Sequence, residues 1–254
     1  MKTNKNLTLS ALLLATFTTF ASADVTDVIN KQYAFDQDGK IALSNINGDV
    51  SISACNCSEV SLVAIITASD QETRDRINIE IDSSESNLSI KTKYAKQKER
   101  FGHNDSHSNV TYELQVPNDV FLRDLNLING DLNISGVTGK LNADLINGDL
   151  KSDGMTSNTN VNTVNGGMYL TFKSLDNADK IKLDSVNGAI VVRVPSDANV
   201  KVDANTVGGK ISNDFGIKVK KGKYVGSSMH GSIGDGSIRL SMNNVNGKIK
   251  LKTL

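Results

Sequence analysis

The chain has 254 residues, of which 22% are charged, and its 28 Lys and Arg are balanced by 28 Asp and Glu. This balance excludes a strongly basic nucleic-acid-binding protein and a protein dominated by an acidic tail. Aromatic residues make up 5% of the chain and Trp is absent, so a pocket of stacked aromatic rings is not expected. Asparagine is the most frequent polar residue, with 28 copies.

The first 23 residues have the pattern of a secretory signal peptide. Lys2 and Lys5 precede an apolar run from Leu7 to Phe20, and small residues follow it, which predicts cleavage after Ala23. The run is too short and too interrupted by Thr for a membrane anchor, and no later stretch reaches the length of a transmembrane span. We therefore expect an exported bacterial protein. In a Gram-negative cell, its destination would be the periplasm, the cell surface or the medium.

Residues 24–118 read as an irregular β region. Alternating apolar residues and turn signals predict strands around 41–52 and over 59–67, 77–81, 88–92 and 109–116. One short helical turn is expected over 71–76. The polar, aperiodic stretch 96–108 is predicted to be an exposed loop.

Asparagine-glycine pairs recur at nearly regular intervals in residues 119–254. Four corners of the type Val/Ile-Asn-Gly are separated by 18, 18 and 22 residues, and Gly208-Gly209 follows after 21 more. Asn and Gly adopt positive φ most readily, so each pair is predicted to make a sharp turn between strands. The predicted turn residues are Asn129 and Gly130, Asn147 and Gly148, Asn165 and Gly166, Asn187 and Gly188, and Asn246 and Gly247, with an early copy at Asn47 and Gly48.

The corners favour a β-solenoid over an antiparallel meander, which Asn-Gly turns also suit. A meander has no reason to alternate two kinds of corner, whereas the Asn-Gly corner returns in every second half-repeat, always preceded by Ile or Val. We predict an all-β chain in which the region 24–118 precedes a β-solenoid over 119–254, in one continuous domain over 24–254. Its repeats of 18–22 residues are of the right-handed parallel β-helix type. Stacked corner asparagines are expected to form amide ladders.

The order of the motifs resembles a bacterial family. Asn47-Gly48-Asp49-Val50-Ser51-Ile52 is followed by Tyr112-Glu113-Leu114-Gln115-Val116-Pro117 and by Leu125 to Leu132 with Gly136-Val137-Thr138-Gly139. This series is similar to the DUF4097 family of proposed adhesins, over roughly residues 41–254. The resemblance implies an extracytoplasmic β-solenoid without an established biochemical role. Residues 54–58 depart from the pattern, because relatives often carry an aromatic residue there.

The sequence gives little support to a metal or cofactor site. Asp49, Asp131 and Asp149 follow corner glycines, as in calcium-binding β-rolls, but later corners lack the carboxylate. A column of sites with six to eight oxygen ligands each is therefore not expected, and one local site near Asp131 and Asp149 stays open. Transition-metal binding would rest on His103, His107 and His230, but the first two lie in a Gly-, Asn- and Ser-rich stretch, where an exposed loop is favoured over a metal site.

Cys55 and Cys57 are the only cysteines in the chain. In an oxidising compartment they form either a disulfide, which a turn at Asn56 would permit, or a pair of buried thiols. The residues leave both possibilities open. Their spacing differs from the Cys-x-x-Cys of dithiol redox enzymes, so redox catalysis is not expected.

Acidic strand residues raise the alternative of an envelope polysaccharide lyase or hydrolase, since parallel β-helices include such enzymes. The candidates Asp144, Asp153, Asp184 and Arg193 have the phase of an ordinary solvated outer face. No Ser-His-Asp or paired-Glu pattern accompanies them. We therefore predict a protein that is not an enzyme.

Positive charge is concentrated in residues 210–254, which contain nine Lys or Arg and two Asp. This segment is either a patch for anionic lipid, lipopolysaccharide or acidic glycan, around Lys218, Lys220, Lys221 and Lys223, or a set of solvated lysines on outer strand faces. Alternate lysines in 248–254 are expected to protect an exposed end of the solenoid from edge pairing, which predicts a monomer. The sequence thus predicts an exported adhesin-like interaction or scaffold protein of the envelope, with an unidentified surface partner.

Overall fold

The computed structural model describes residues 24–95 and 107–254, so the predicted signal peptide and most of the predicted loop at 96–108 lie outside the described residues. The described chain is all-β, as predicted, apart from one helix of five residues. Its strands are β1 Val25–Ala34, β2 Lys40–Asn47, β3 Val50–Cys55, β4 Glu59–Ala68, β5 Ile77–Ser84, β6 Asn87–Tyr94, β7 Ser108–Pro117, β8 Phe121–Asn129, β9 Leu132–Ser135 and β10 Leu141–Asn147. There follow β11 Leu150–Asn165, β12 Met168–Asn187, β13 Ile190–Val194, β14 Val200–Thr206, β15 Ile211–Asn213, β16 Val219–Lys221, β17 Ser227–Ile233, β18 Ile238–Asn246 and β19 Ile249–Thr253; helix α1 is Gln71–Asp75.

Period-two alternation accounts for these strands. In β10, buried Leu141, Ala143 and Leu145 alternate with the outward side chains of Asn142 and Asp144. Each coil makes one strand before an Asn-Gly corner and one after it, and the buried side chains of both strands meet in a narrow aliphatic core. A thin core of stacked Leu, Ile and Val requires few aromatic residues, which agrees with the composition.

The coils stack into two sheets that share long strands. The pre-corner sheet runs β5, β6, β2, β8, β10, the second half of β11, the second half of β12, β18, β14, β17 and β16. The post-corner sheet runs β1, β4, β7, β3, β9, the first half of β11, the first half of β12, β13, β19 and β15. Pairing is parallel from β6 to β14 and from β7 to β15, so the stacked-coil architecture predicted from the sequence is confirmed.

The last coils are stacked in a different order from the chain. The spacing of the corners suggested that Gly208-Gly209 would lie directly on Asn187-Gly188, but β18 lies between β12 and β14 and β19 lies between β13 and β15. The expectation that residues 248–254 form an exposed end of the solenoid is therefore wrong. The reason is chemical, because Asn246 supplies the amide that pairs with Asn187, whereas Gly208 has none to offer.

Antiparallel strands close both ends of the stack. At one end β4 pairs with β1 and β7, and the β5–β6 hairpin lies beside β2. Helix α1 follows β4 and begins at Asp70, whose carboxylate accepts the Thr73 N–H at 2.7 Å. At the other end the β16–β17 hairpin extends the pre-corner sheet beyond β14. Residues in the region 24–118 therefore cover one end of the solenoid.

A buried polar cluster joins the first end to the stack. The Tyr112 hydroxyl lies 2.7 Å from Thr92 Oγ1, which donates to Asn45 Oδ1 at 2.9 Å. The Asn45 amide donates to the Val110 carbonyl oxygen at 2.7 Å. Burial raises the pKa of Tyr112 from 10.0 to about 12.

We predict that stability falls in alkali partly through Tyr112. An unfolded chain releases the phenolic proton near pH 10 and the folded chain only near pH 12, so the contribution is complete below pH 10 and is lost as the pH rises to 12. Tyr112→Phe should reduce the loss of unfolding free energy between pH 9 and 11.5 by about 2 kcal/mol, measured by urea unfolding. Tyr169→Phe on the surface is the control, and an equal loss in both variants would contradict the assignment.

We also predict that glycine is required at the corners for two reasons, which are the close contact with the backbone of the adjacent coil and the positive φ. Gly166 has φ of +150°, and a Cβ there would collide with the Gly148 carbonyl oxygen. Gly166→Ala should lower the free energy of unfolding by about 3 kcal/mol or more. Gly216→Ala is the matched control, because φ is +71° and nothing lies within 4 Å. It should cost about 1 kcal/mol, and equal losses would show that backbone approach is unimportant.

Candidate ligand-binding groove

The corner asparagines form one continuous amide ladder. Each donates from Nδ2 to the Oδ1 of the asparagine in the adjacent coil, at 2.8 to 3.1 Å. The ladder contains Asn47, Asn129, Asn147, Asn165, Asn187 and Asn246, in that order. The backbone bonds run in the opposite direction, since the corner Gly N–H donates to the asparagine carbonyl oxygen of the following coil. The side-chain amides of these residues are hydrogen-bonded to one another, which indicates a structural role.

The corner aspartates bind the backbone of neighbouring coils. Asp49 Oδ1 accepts the Asp131 N–H at 2.8 Å, and Asp131 Oδ1 accepts the Asp149 N–H at 2.8 Å. Asp149 Oδ1 accepts the Gly167 N–H at 2.7 Å, and the row ends there because Gly167 has no side chain. Within 24–95 and 107–254, no group of three or more His, Cys, Asp or Glu could hold a metal ion.

We predict that Asp149→Ala lowers the free energy of unfolding by about 1 kcal/mol, because the Gly167 N–H loses its acceptor. Asp149→Asn should recover most of this loss, since its carbonyl oxygen accepts the same bond. Thermal melts with EDTA and with added calcium should give the same Tm for the parent protein. A calcium-dependent rise in Tm that Asp149→Ala abolishes would instead show a cation at this corner.

Apolar side chains form an exposed stripe just before the corners. The exposed fractions are 39% for Ile128, 43% for Ile146, 41% for Val164, 40% for Val186, 44% for Val245 and 57% for Val207. These six residues, which we call the apolar stripe, occupy equivalent positions in adjacent strands of the pre-corner sheet. A contiguous exposed apolar row of this kind is a candidate site of interaction.

Most of the stripe lies in a groove of about 820 Å³. Its floor includes Ile146, Val164 and Val186, and one wall is formed by residues 222–228. That wall is held close, because a Cβ on Gly226 would lie 2.9 Å from the Thr206 carbonyl oxygen. Val225 lines the groove beside the last residue of the stripe and is 72% exposed.

A row of carboxylates and amides borders the stripe on the same sheet face. Asn162 Nδ2 donates to Asp144 Oδ1 at 2.7 Å, and Asn243 Nδ2 donates to Asp184 Oδ1 at 2.8 Å. Lys182 Nζ lies 2.7 Å from Asp184 Oδ2. These groups already satisfy one another, so the groove presents mainly apolar contacts to a ligand.

The predicted anion-contact lysines lie at one end of the groove. Lys220 pairs in register with Ser228, which pairs with Asn205 beside the stripe, so β16 and β17 continue the grooved sheet. Lys218, Lys220, Lys221 and Lys223 are all exposed. Lys223 Nζ lies 5.3 Å from the ring centroid of Tyr224, which is 86% exposed. The structure thus places a basic, aromatic loop next to the apolar stripe.

The other residues singled out by sequence do not converge on a site. Cys55 and Cys57 are joined in a disulfide beside β4. His107 Nε2 lies 3.3 Å from Asp24 at one end of the stack, and His230 Nδ1 lies 3.2 Å from Asp203 at the other. His103 lies outside the described residues.

The four candidates for catalysis are divided between the two sheets. Asp144 and Asp184 are in the pre-corner sheet with Asn162 between them, whereas Asp153 and Arg193 are in the post-corner sheet. Asp153 Oδ1 accepts the Ser135 hydroxyl at 3.0 Å and the Gly136 N–H at 2.9 Å. The two sheets therefore hold them apart.

Sequence reasoning missed the groove although its signal was visible. The recurring Ile or Val before each corner indicates that the coils are stacked, but the sequence pattern alone does not show that these side chains are exposed. Alternation would bury either Val186 or Asn187, yet both are exposed because the chain turns between the sheets there.

Comparisons with known proteins agree with this architecture. The family model described as Toastrack DUF4097 matches residues 28–252. No curated protein matches the chain. A proposed cell adhesion protein from Clostridium sporogenes has a similar fold, with a TM-score of 0.54 and 14% identity over 91% of this chain and 100% of that chain.

Two further solved structures are more distantly similar. A proposed adhesin from Bacteroides fragilis has a TM-score of 0.42 and 12% identity, over 89% of this chain and 97% of that chain. A proposed lipid-binding protein from Parabacteroides distasonis has a TM-score of 0.31 and 10% identity, over 90% of this chain and 97% of that chain. Likeness at these identities concerns the fold alone. The described residues include no helix with the length and apolar character needed to cross a membrane.

Proposed function

This chain belongs to the Toastrack DUF4097 family, and we propose that it is an exported, non-enzymatic binding protein of the bacterial envelope or cell surface. In this proposal the apolar stripe and its groove hold the partner, and the neighbouring lysines attract it. The cell adhesion role proposed for the Clostridium sporogenes protein is compatible with this function. The proposal nevertheless rests on the groove, since the two chains are 14% identical.

The single observation that carries the proposal is the exposure of the stripe. Six aliphatic side chains, each at least 39% exposed, line up on a rigid sheet face rather than being scattered. Each fully buried side chain of this size would contribute about 1.5–3 kcal/mol, so a partner that covers several of them gains substantial affinity.

Several features favour binding over catalysis. The carboxylates that border the groove are paired with amides or with Lys182, and no nucleophile lies beside a general base among the lining residues. A polysaccharide-processing enzyme would need an acid and a base directed at one bond. The signal-like sequence at 1–23 supports export. The Cys55–Cys57 disulfide also supports it, because disulfides are rare in the reducing cytosol.

We predict that the purified protein sediments with envelope fractions of a Gram-negative bacterium and that the stripe is responsible. Val186→Asp should greatly reduce the bound fraction, because a carboxylate in the stripe must be desolvated on binding. Val28→Asp is the matched control, since Val28 is 50% exposed on β1, far from the groove. Equal binding by both variants would exclude the stripe as the contact surface.

A further inference from the structure

We propose that the groove binds one extended acyl chain of an anionic lipid, with the headgroup phosphate held by the lysines around residues 218–223. This inference rests on the proposed function and specifies its ligand. The acyl chain lies along the stripe, across successive strands of the pre-corner sheet. The headgroup lies where the groove meets the β16–β17 hairpin.

The dimensions of the stripe suit a single hydrocarbon chain. Neighbouring strands lie about 4.8 Å apart, so the six residues of the stripe extend over about 24 Å. An acyl chain of one bilayer leaflet spans about 15 Å, half the hydrocarbon thickness, and fits within this length. The stripe is one side chain wide and is bordered by the asparagine ladder on one side and by the Asp144 row on the other. A broad apolar surface would be needed for a folded protein partner, and this surface is narrow.

The hydrogen-bonding groups around the stripe disfavour an extended peptide as the occupant. The strands beneath the stripe are paired on both sides, so no sheet edge is available there for strand addition. The Asn162 and Asn243 amides are bonded to Asp144 and Asp184. An extended peptide in the groove would therefore gain no ladder of backbone hydrogen bonds from the sheet, whereas a hydrocarbon chain needs none.

Charge complementarity fixes the direction of the lipid. Lys218, Lys220, Lys221 and Lys223 are exposed, and residues 215–234 contain neither Asp nor Glu. At the opposite end of the stripe, Lys91 and Lys93 of β6 face Glu80 of β5, which pairs in register with Lys91 and lies 2.6 Å from Lys93 Nζ, so the positive charge there is partly balanced. A phosphate is therefore attracted to the hairpin end, where the exposed rings and methyls of Tyr224 and Val225 can contact the first carbons of the chain.

The test uses monomeric lysophosphatidylglycerol, below its critical micelle concentration, in calorimetric titration of the purified protein. We expect one bound lipid per protein. Val186→Asp should weaken binding about tenfold or more. Val186→Ser, which introduces a small polar group without a charge, should weaken it less. Val28→Asp should bind like the parent, and thermal melts of all variants verify folding. Unchanged binding in folded Val186→Asp would overturn the proposal.

The headgroup is tested separately. Lys220→Glu with Lys223→Glu should weaken binding about fivefold for each lysine. The matched pair Lys31→Glu with Lys151→Glu, at exposed positions of the post-corner sheet, should have no effect. Lysophosphatidylcholine, which has the same chain and no net charge, should bind more weakly than the anionic lipid. Equal affinity for the two lipids would overturn the assignment of the lysines. Binding of inorganic phosphate as tight as that of the lipid would overturn the assignment of the stripe.

The result also distinguishes this inference from the proposed function. If Val186→Asp loses binding to envelope fractions while the parent protein does not bind lysophosphatidylglycerol, the groove binds another envelope component and the lipid proposal fails alone. If the parent binds vesicles of phosphatidylglycerol but not the monomeric lipid, the contact is with a membrane surface and the single-chain proposal is wrong. If neither envelopes nor lipid bind, both proposals fail.

Discussion

The stack depends on a close backbone contact at the corners, where each glycine from Gly130 to Gly247 lies against the carbonyl group of the corner glycine in the adjacent coil. A side chain cannot be accommodated there, and the φ values between +144° and +157° at the five stacked corners from Gly130 to Gly247 suit glycine in any case. The neighbouring asparagine then has a fixed place from which its amide reaches the next one. Coil spacing, strand register and the two-sheet cross-section all follow from this contact.

Register fixed at the corner also determines the surface. Because every coil meets its neighbour at the same residue, the side chain before the corner is repeated along the stack, and so is the one two positions earlier. One row is aliphatic and the other consists of Asn and Asp. A single exposed valine would be unremarkable, but repetition converts it into a continuous groove. The proposed binding surface is thus a product of the same repetition that stabilises the fold.

Local patterns were sufficient to predict the strands, the corners and the stacked architecture, because alternation and Asn-Gly pairs act over a few residues. The position of β18 and β19 could not be predicted in this way, since Asn187 and Asn246 are 59 residues apart and spacing favours the nearer Gly208. Alternation after buried Leu183 and Ser185 puts Val186 on the outer face with Asp184, but its apolar character favours burial, so the exposure of this row is not evident from the sequence. The lysines were visible in the sequence, but their place beside the stripe results from the β16–β17 hairpin.

The position of β18 and β19 between strands that precede them in the chain affects the order in which the protein can fold. Strand β15 pairs only with β19 in the post-corner sheet, and β14 docks on the stack through β18, although both are synthesised before their partners. Residues 200–213 therefore have no docking site while residues 238–253 are still being made. A nascent chain can therefore complete the sheet pairing on this side only after residues 238–253 have been made.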